Sequence, residues 1–93
     1  MKPLQIVVQF IREGEIVVAH CPSLDVSAYG ATMEEAQRHF EEALEAFLQE
    51  TVKHGTLERV LREHGWTQVD VKPSQWNPPM VITEKPYTIS VPA

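Results

Sequence analysis

Residues 30–55, GATMEEAQRHFEEALEAFLQETVKHG, decide how this chain folds. The stretch predicts one long helix with both ends marked. Thr32 is a natural N-cap: its hydroxyl can accept from the Glu35 N–H while the Glu35 carboxylate reaches back to the Thr32 N–H, a capping box. Gly55 can take the left-handed conformation that closes a helix. Between these marks Ala36, Phe40, Ala43, Leu44, Phe47, Leu48 and Thr51 recur at steps of three and four, forming one apolar stripe. Glu34, Glu41, Glu42, Glu45 and Glu50 fall mostly off the stripe and keep the other face wet. A stripe this long needs a cover, and the segment before it supplies one.

Upstream, Leu4 to Arg12 (LQIVVQFIR) is rich in β-branched residues and predicts a strand. Leu4, Ile6, Val8 and Phe10 share one face; Val7 and Ile11 fall on the other. A strand apolar on both sides is either central in its sheet or covered by a partner. Glu13-Gly14 signals a tight turn, and Glu15 to His20 (EIVVAH) is the return strand of a hairpin. Pro22 cannot donate to a ladder, so Cys21 to Asp25 predicts a loop. Val26 to Tyr29 predicts a third strand that Gly30 ends.

Downstream, Thr56 offers a second N-cap, and TLERVLREHG predicts a short helix with Leu57, Val60 and Leu61 on one side and Gly65 as its stop. Trp66 to Val71 alternates and predicts a fourth strand. Lys72 to Pro79 (KPSQWNPP) carries three prolines and is expected to be an extended loop centred on Trp76. Met80 to Thr83 and Tyr87 to Val91 are short β-like runs. The expected fold is therefore α+β: a three-to-four-stranded, mainly antiparallel sheet with one long helix on one face, in the order β-β-β-α-α-β, plus a C-terminal β-like arm. Residues 1–72 form its body, and 73–93 add a Pro-rich loop and a C-terminal strand or arm of the same domain.

The 93 residues suit one small domain, a size that often gains stability by oligomerising. Hydrophobic residues at 43% and charged residues at 23% are ordinary for a globular protein. A net charge of −5 argues against a bare nucleic-acid binder and suits an acidic protein that docks on a basic partner. The one cysteine, Cys21, excludes an intrachain disulfide and fits a reducing compartment. No apolar run approaches the roughly 20 residues of a membrane span. The opening MKPLQIVVQFIREGE does not read as a signal peptide, so a cytoplasmic protein is expected.

The side chains that carry chemistry are scattered. His20 and Cys21 are adjacent, so a strand points them to opposite faces; His39, His54 and His64 have no simple helical pairing. No pair has zinc-ligand spacing, and no metal or other cofactor is expected. Nothing brings a histidine and an orienting third group to Cys21 for nucleophilic catalysis. Glu41 and Glu45 lie one turn apart on the solvated helix face, which gives neither a cleft nor a shifted pKa. Gly14, Gly30, Gly55 and Gly65 are isolated and build no phosphate loop. Exposed apolar residues remain. Trp76 reads equally as an interface anchor or as a lid folded over the sheet edge. Tyr87 and Ile89, in YTISVP, belong either to the last strand of the chain's own sheet or to an arm that pairs with another subunit.

The run VVAHCPSLDVSAYGATMEEA, ending at Ala36, resembles the HicB-like antitoxin family. Pro22, Leu24, Gly30, Thr32, Glu34, Glu35 and Ala36 match that family's Pro-x-Leu loop, Gly-x-Thr helix start, acidic pair and Ala in order and spacing. Gly55 to Trp66 also looks like the extension in a solo branch of the family, and the similarity covers Gln5 to Trp66, about two thirds of the chain. Asp25-Val26-Ser27 stands where the family usually has Pro-Gly-Cys, in a loop that would meet a partner. The resemblance implies a partial RNase H-like fold without the nuclease acids. It also implies a non-enzymatic protein that sequesters a small basic mRNA interferase toxin, HicA, by occluding its surface. Many family members carry a DNA-binding domain; none is expected in these 93 residues.

The expected function is that of an antitoxin-like binding protein, a homo-oligomer with no direct contact to nucleic acid or membrane. Trp76, Tyr87, Ile89 and Asp25 are its candidate contacts. A degenerate metal-dependent hydrolase on the same scaffold is the alternative, with Glu15, Asp25 and Asp70 as the available acids. A solo structural protein that has lost its partner is a third.

Overall fold

The computed structural model describes Met1 to Pro92. Its elements run β1 (Gln9–Glu13), β2 (Ile16–Cys21), β3 (Val26–Gly30), α1 (Met33–Lys53), α2 (Leu57–Glu63), β4 (Thr67–Val71) and β5 (Ser74–Asn77). The first three strands make an antiparallel sheet in the order β1-β2-β3, and β4 with β5 makes a separate antiparallel hairpin. The fold is α+β, with a long helix packed on a sheet, as the sequence predicts.

Local chemistry accounts for most of this. β1 and β2 meet through a two-residue turn, with Glu13 opposite Ile16. Gly14 takes φ +61 at its first central position, as a type II′ hairpin requires. In α1 the Thr32 hydroxyl accepts from the Glu35 N–H at 3.1 Å. The return half of the capping box does not form. Glu34 and Glu35 lie in the first turn and Lys53 in the last, which suits the helix dipole. Gly55, at φ +66, turns the chain out of the helix. Thr56 precedes α2 but does not cap it; its hydroxyl donates back to the Thr51 carbonyl.

The helix lies on the inner face of the sheet, to which Val17, Ala19 and Cys21 of β2 point. Those three, with Leu24, Ala36, Phe40, Leu61, Trp66 and Trp76, form the core. Gly30 sets the closeness of the two layers. A Cβ there would sit 2.6 Å from the Ala36 nitrogen and 2.9 Å from the Glu35 carbonyl carbon. The first turn of α1 thus rests on bare strand backbone. Further along the stripe, Ala43, Leu44, Phe47 and Leu48 are only half-buried, because three strands do not cover all of a 21-residue helix. Thr51, buried near the helix end, satisfies its hydroxyl on the Phe47 and Leu48 carbonyls.

Several elements differ from expectation. The first strand starts at Gln9 rather than Leu4. Residues 4–8 run on without ladder partners, with Leu4, Ile6 and Val8 laid against the core. The fourth strand does not join the main sheet. It pairs instead with Ser74–Asn77, inside the stretch expected to be a loop, through a turn at Lys72-Pro73 whose peptide bond is cis. The prolines flank this strand rather than interrupt it. The folded body therefore extends to Asn77, beyond the boundary expected at residue 72. Lys2 ties the N-terminal segment to the second hairpin: its backbone N–H donates to the Ser74 carbonyl at 2.7 Å and its ammonium to Gln75 Oε1 at 3.1 Å.

Three substitutions test this packing. Gly30→Ala should destabilise by about 1–3 kcal/mol, because the neighbours that must yield are backbone. Phe40→Ala should cost about 3–5 kcal/mol and Phe47→Ala clearly less, since Phe40 is 4% exposed and Phe47 half-buried. Urea unfolding midpoints measure all three, and equal losses at Phe40 and Phe47 would contradict the assigned cover.

Candidate functional site

The acids that a hydrolase would need stand apart. Glu15 sits in the turn before β2, and Asp25 in the loop after it. A six-residue strand separates them, on the order of 20 Å at the usual rise per residue. Asp25 is exposed at φ +54, and Asp70 is exposed on β4, where its carboxylate accepts from the Val71 N–H. Among the described residues, no group of three or more His, Cys, Asp or Glu side chains is placed to hold a metal ion.

Cys21 is fully buried on the inner face, its Sγ 3.5 Å from the Ser23 hydroxyl, while His20 is on the opposite face. His39 Nδ1 lies 2.7 Å from the Tyr29 carbonyl and ties α1 to β3. His54 pairs with Glu50 one turn earlier, in the open. His64 Nδ1 bonds the Val60 carbonyl. Each of these three histidines thus has a hydrogen-bond partner.

Trp76 is not an exposed anchor. It is 4% exposed on β5, packed into the core with Leu61 and Trp66, and the Arg62 guanidinium lies 5.0 Å above its ring. Its Nε1 is buried without a hydrogen-bond partner. Trp66, by contrast, donates from Nε1 to the Ser23 carbonyl at 2.6 Å and so pins the second hairpin to the β2–β3 loop. The remaining motif residues have packing roles: Leu24 and Ala36 are buried, and Gly30 and Thr32 seat and cap α1. Glu35 donates its N–H to the cap, and Pro22 is exposed in the loop.

What remains free is apolar surface. Ile11, Val18 and Tyr29 stand opposite one another across the three strands, on the face away from the helix. Tyr29 is 66% exposed. Beyond Asn77 the chain continues to Pro92 as an extended arm without helix or strand. Tyr87 and Ile89 lie there in the open, as do Met80, Val81, Ile82 and Val91. Where the arm departs, a groove of about 720 Å³ opens between it and the segment carrying Gln5, Val7 and Gln9. The β-like run that holds Tyr87 and Ile89 is legible in the sequence, and both residues lie exposed on the arm. The sequence does not show the row across the sheet, because that row exists only once the register is set.

Compared with family models, with curated proteins and with solved structures, the chain matches none. Among the described residues no helix is long and apolar enough to cross a membrane.

The two tryptophans make opposite predictions. Trp66→Phe removes a satisfied buried bond and leaves the Ser23 carbonyl unpaired, costing about 1–3 kcal/mol. Trp76→Phe removes a donor that has no partner and should cost less, while Trp76→Ala should cost about 3–5 kcal/mol. Thermal unfolding of the three variants distinguishes the residues; a Trp76→Ala variant of unchanged stability would return Trp76 to the surface.

Proposed function

We propose that this protein is a non-enzymatic binding module of the antitoxin type, which covers a small basic toxin of the HicA-like class and blocks its RNA-binding and catalytic surface. One observation carries this reading: an open sheet face and a free arm both present exposed apolar side chains, while Glu15, Asp25 and Asp70 stand apart. Exposed apolar patches of this kind mark docking sites. A net charge of −5 supports a basic partner, since complementary charge speeds and orients encounter. The outer face of α1 supplies much of that charge through Glu34, Glu41, Glu42 and Glu45, all exposed. The resemblance of residues up to Ala36 to HicB-like antitoxins supports the same assignment, with a partial RNase H-like scaffold, a cytoplasmic setting and self-association.

Co-expression with a small basic HicA-like toxin tests it. The expected result is relief of that toxin's growth arrest and recovery of a complex whose association slows about tenfold or more between roughly 50 mM and 500 mM salt. Persistent growth arrest without a complex would leave a solo structural protein. A Mg²⁺- or Mn²⁺-dependent nuclease activity lost on Asp25→Asn would replace the reading with a hydrolase.

A further inference from the structure

The C-terminal arm does not behave as part of a finished monomer. From Pro78 to Pro92 every residue is exposed, and none of the backbone groups there makes a hydrogen bond to another part of the described chain. Ile82 is 95% exposed and Ile89 79%. The cost shows in the dimensions. The radius of gyration is 16.2 Å, against about 12 Å for a compact domain of this length. Tyr87, Ile89 and Val91 alternate with Thr88 and Ser90, the pattern of a strand with one apolar side. Pro78 and Pro79 stiffen the start of the arm, where Pro79 lies beside Gly65.

The main sheet has a matching vacancy at β1. All five of its residues are exposed, unlike those of β3, which is partly covered. Phe10 on the inner face and Ile11 on the outer face are 38% and 41% exposed at this edge. The ladder alternation fixes which backbone groups are free. Glu13 and Ile16 flank a two-residue turn and form a bonded pair, so Ile11 and Gln9 also bond β2, whereas Phe10 and Arg12 turn their N–H and C=O outward. Inner-face cover is also short along α1, where Leu44, Phe47 and Leu48 are half-exposed.

We propose that the protein is an arm-exchanged dimer: residues Tyr87–Val91 of each copy add as a strand to the outer edge of β1 of a second copy, with Tyr87, Ile89 and Val91 beside Phe10. Main-chain bonds to Phe10 and Arg12 give affinity, and the alternating side chains give register, as in strand addition generally. Each side brings the five residues Tyr87–Val91 and the five-residue strand that receives its partner's, so main-chain pairing rather than area carries the interface. Exchange removes an open edge and hides the arm in one step, with no new element needed. The proposal rests on the self-association included in the proposed function and is independent of any toxin.

Sedimentation equilibrium on the full chain tests it, with two variants. Ile89→Asp disables the arm, which lies outside the folded body. Arg12→Pro removes an outward N–H at the edge, where proline is tolerated, and leaves the β1–β2 bonds in place. The expected result is a dimer for the native chain and at least a tenfold weaker dissociation constant for each variant, with unchanged far-UV circular dichroism. A monomeric native chain would overturn both the self-association and the exchange. A native dimer that Ile89→Asp leaves intact would overturn the exchange alone. Weakening by Ile89→Asp but not by a folded Arg12→Pro would place the arm elsewhere and overturn the β1 edge as its receiver. A native monomer whose melting temperature falls in Ile89→Asp would show the arm folding back on its own sheet.

Discussion

The contact of the first turn of α1 with the bare backbone of Gly30 is the constraint on which the rest depends. Because the Ala36 nitrogen approaches to the distance of a missing Cβ, helix and sheet lie close enough for Val17, Ala19 and Cys21 to share one core with Phe40. Small residues at the seam and larger ones further out follow from that spacing. The Thr32 cap then holds the turn that makes the contact. A capped helix on a three-stranded sheet leaves its far half thinly covered, and the N-terminal segment, α2 and the β4–β5 hairpin fill that space to different degrees.

The second hairpin is joined to the first sheet and the N-terminal segment by few and specific links. Trp66 reaches the Ser23 carbonyl, Lys2 reaches Ser74 and Gln75, and Trp76 inserts its ring without satisfying its nitrogen. Burial of apolar area at Trp76 outweighs a stranded donor whose cost is about 1–3 kcal/mol. That balance favours packing over polar satisfaction at the seam between the two sheets. The same economy leaves β1 open and the arm unpaired.

The helix was legible from its residues because its signals are local: a cap at Thr32, a stripe of fixed period and a glycine stop. The first hairpin was legible for the same reason, through Gly14. Gly30 could be read as the end of a strand, yet the reason for a glycine there is a contact with Ala36 that only the packed layers reveal. β5 was hidden by its flanking prolines, and the place of Trp76 depends on a pairing with Gln68 across a turn. The stitch made by Lys2 spans 72 positions of sequence, and no periodicity announces it. Of the candidate contacts, Tyr87 and Ile89 were readable as a strand-like run, whereas the row Ile11, Val18, Tyr29 needed a register that local propensity does not supply.

The chain's one thiol lies wholly inside the seam between β2 and the helix. A thiol reagent reaches Cys21 only when those two layers part. Its rate of modification therefore times the opening of the central seam without any added label, and no second sulfhydryl blurs the signal.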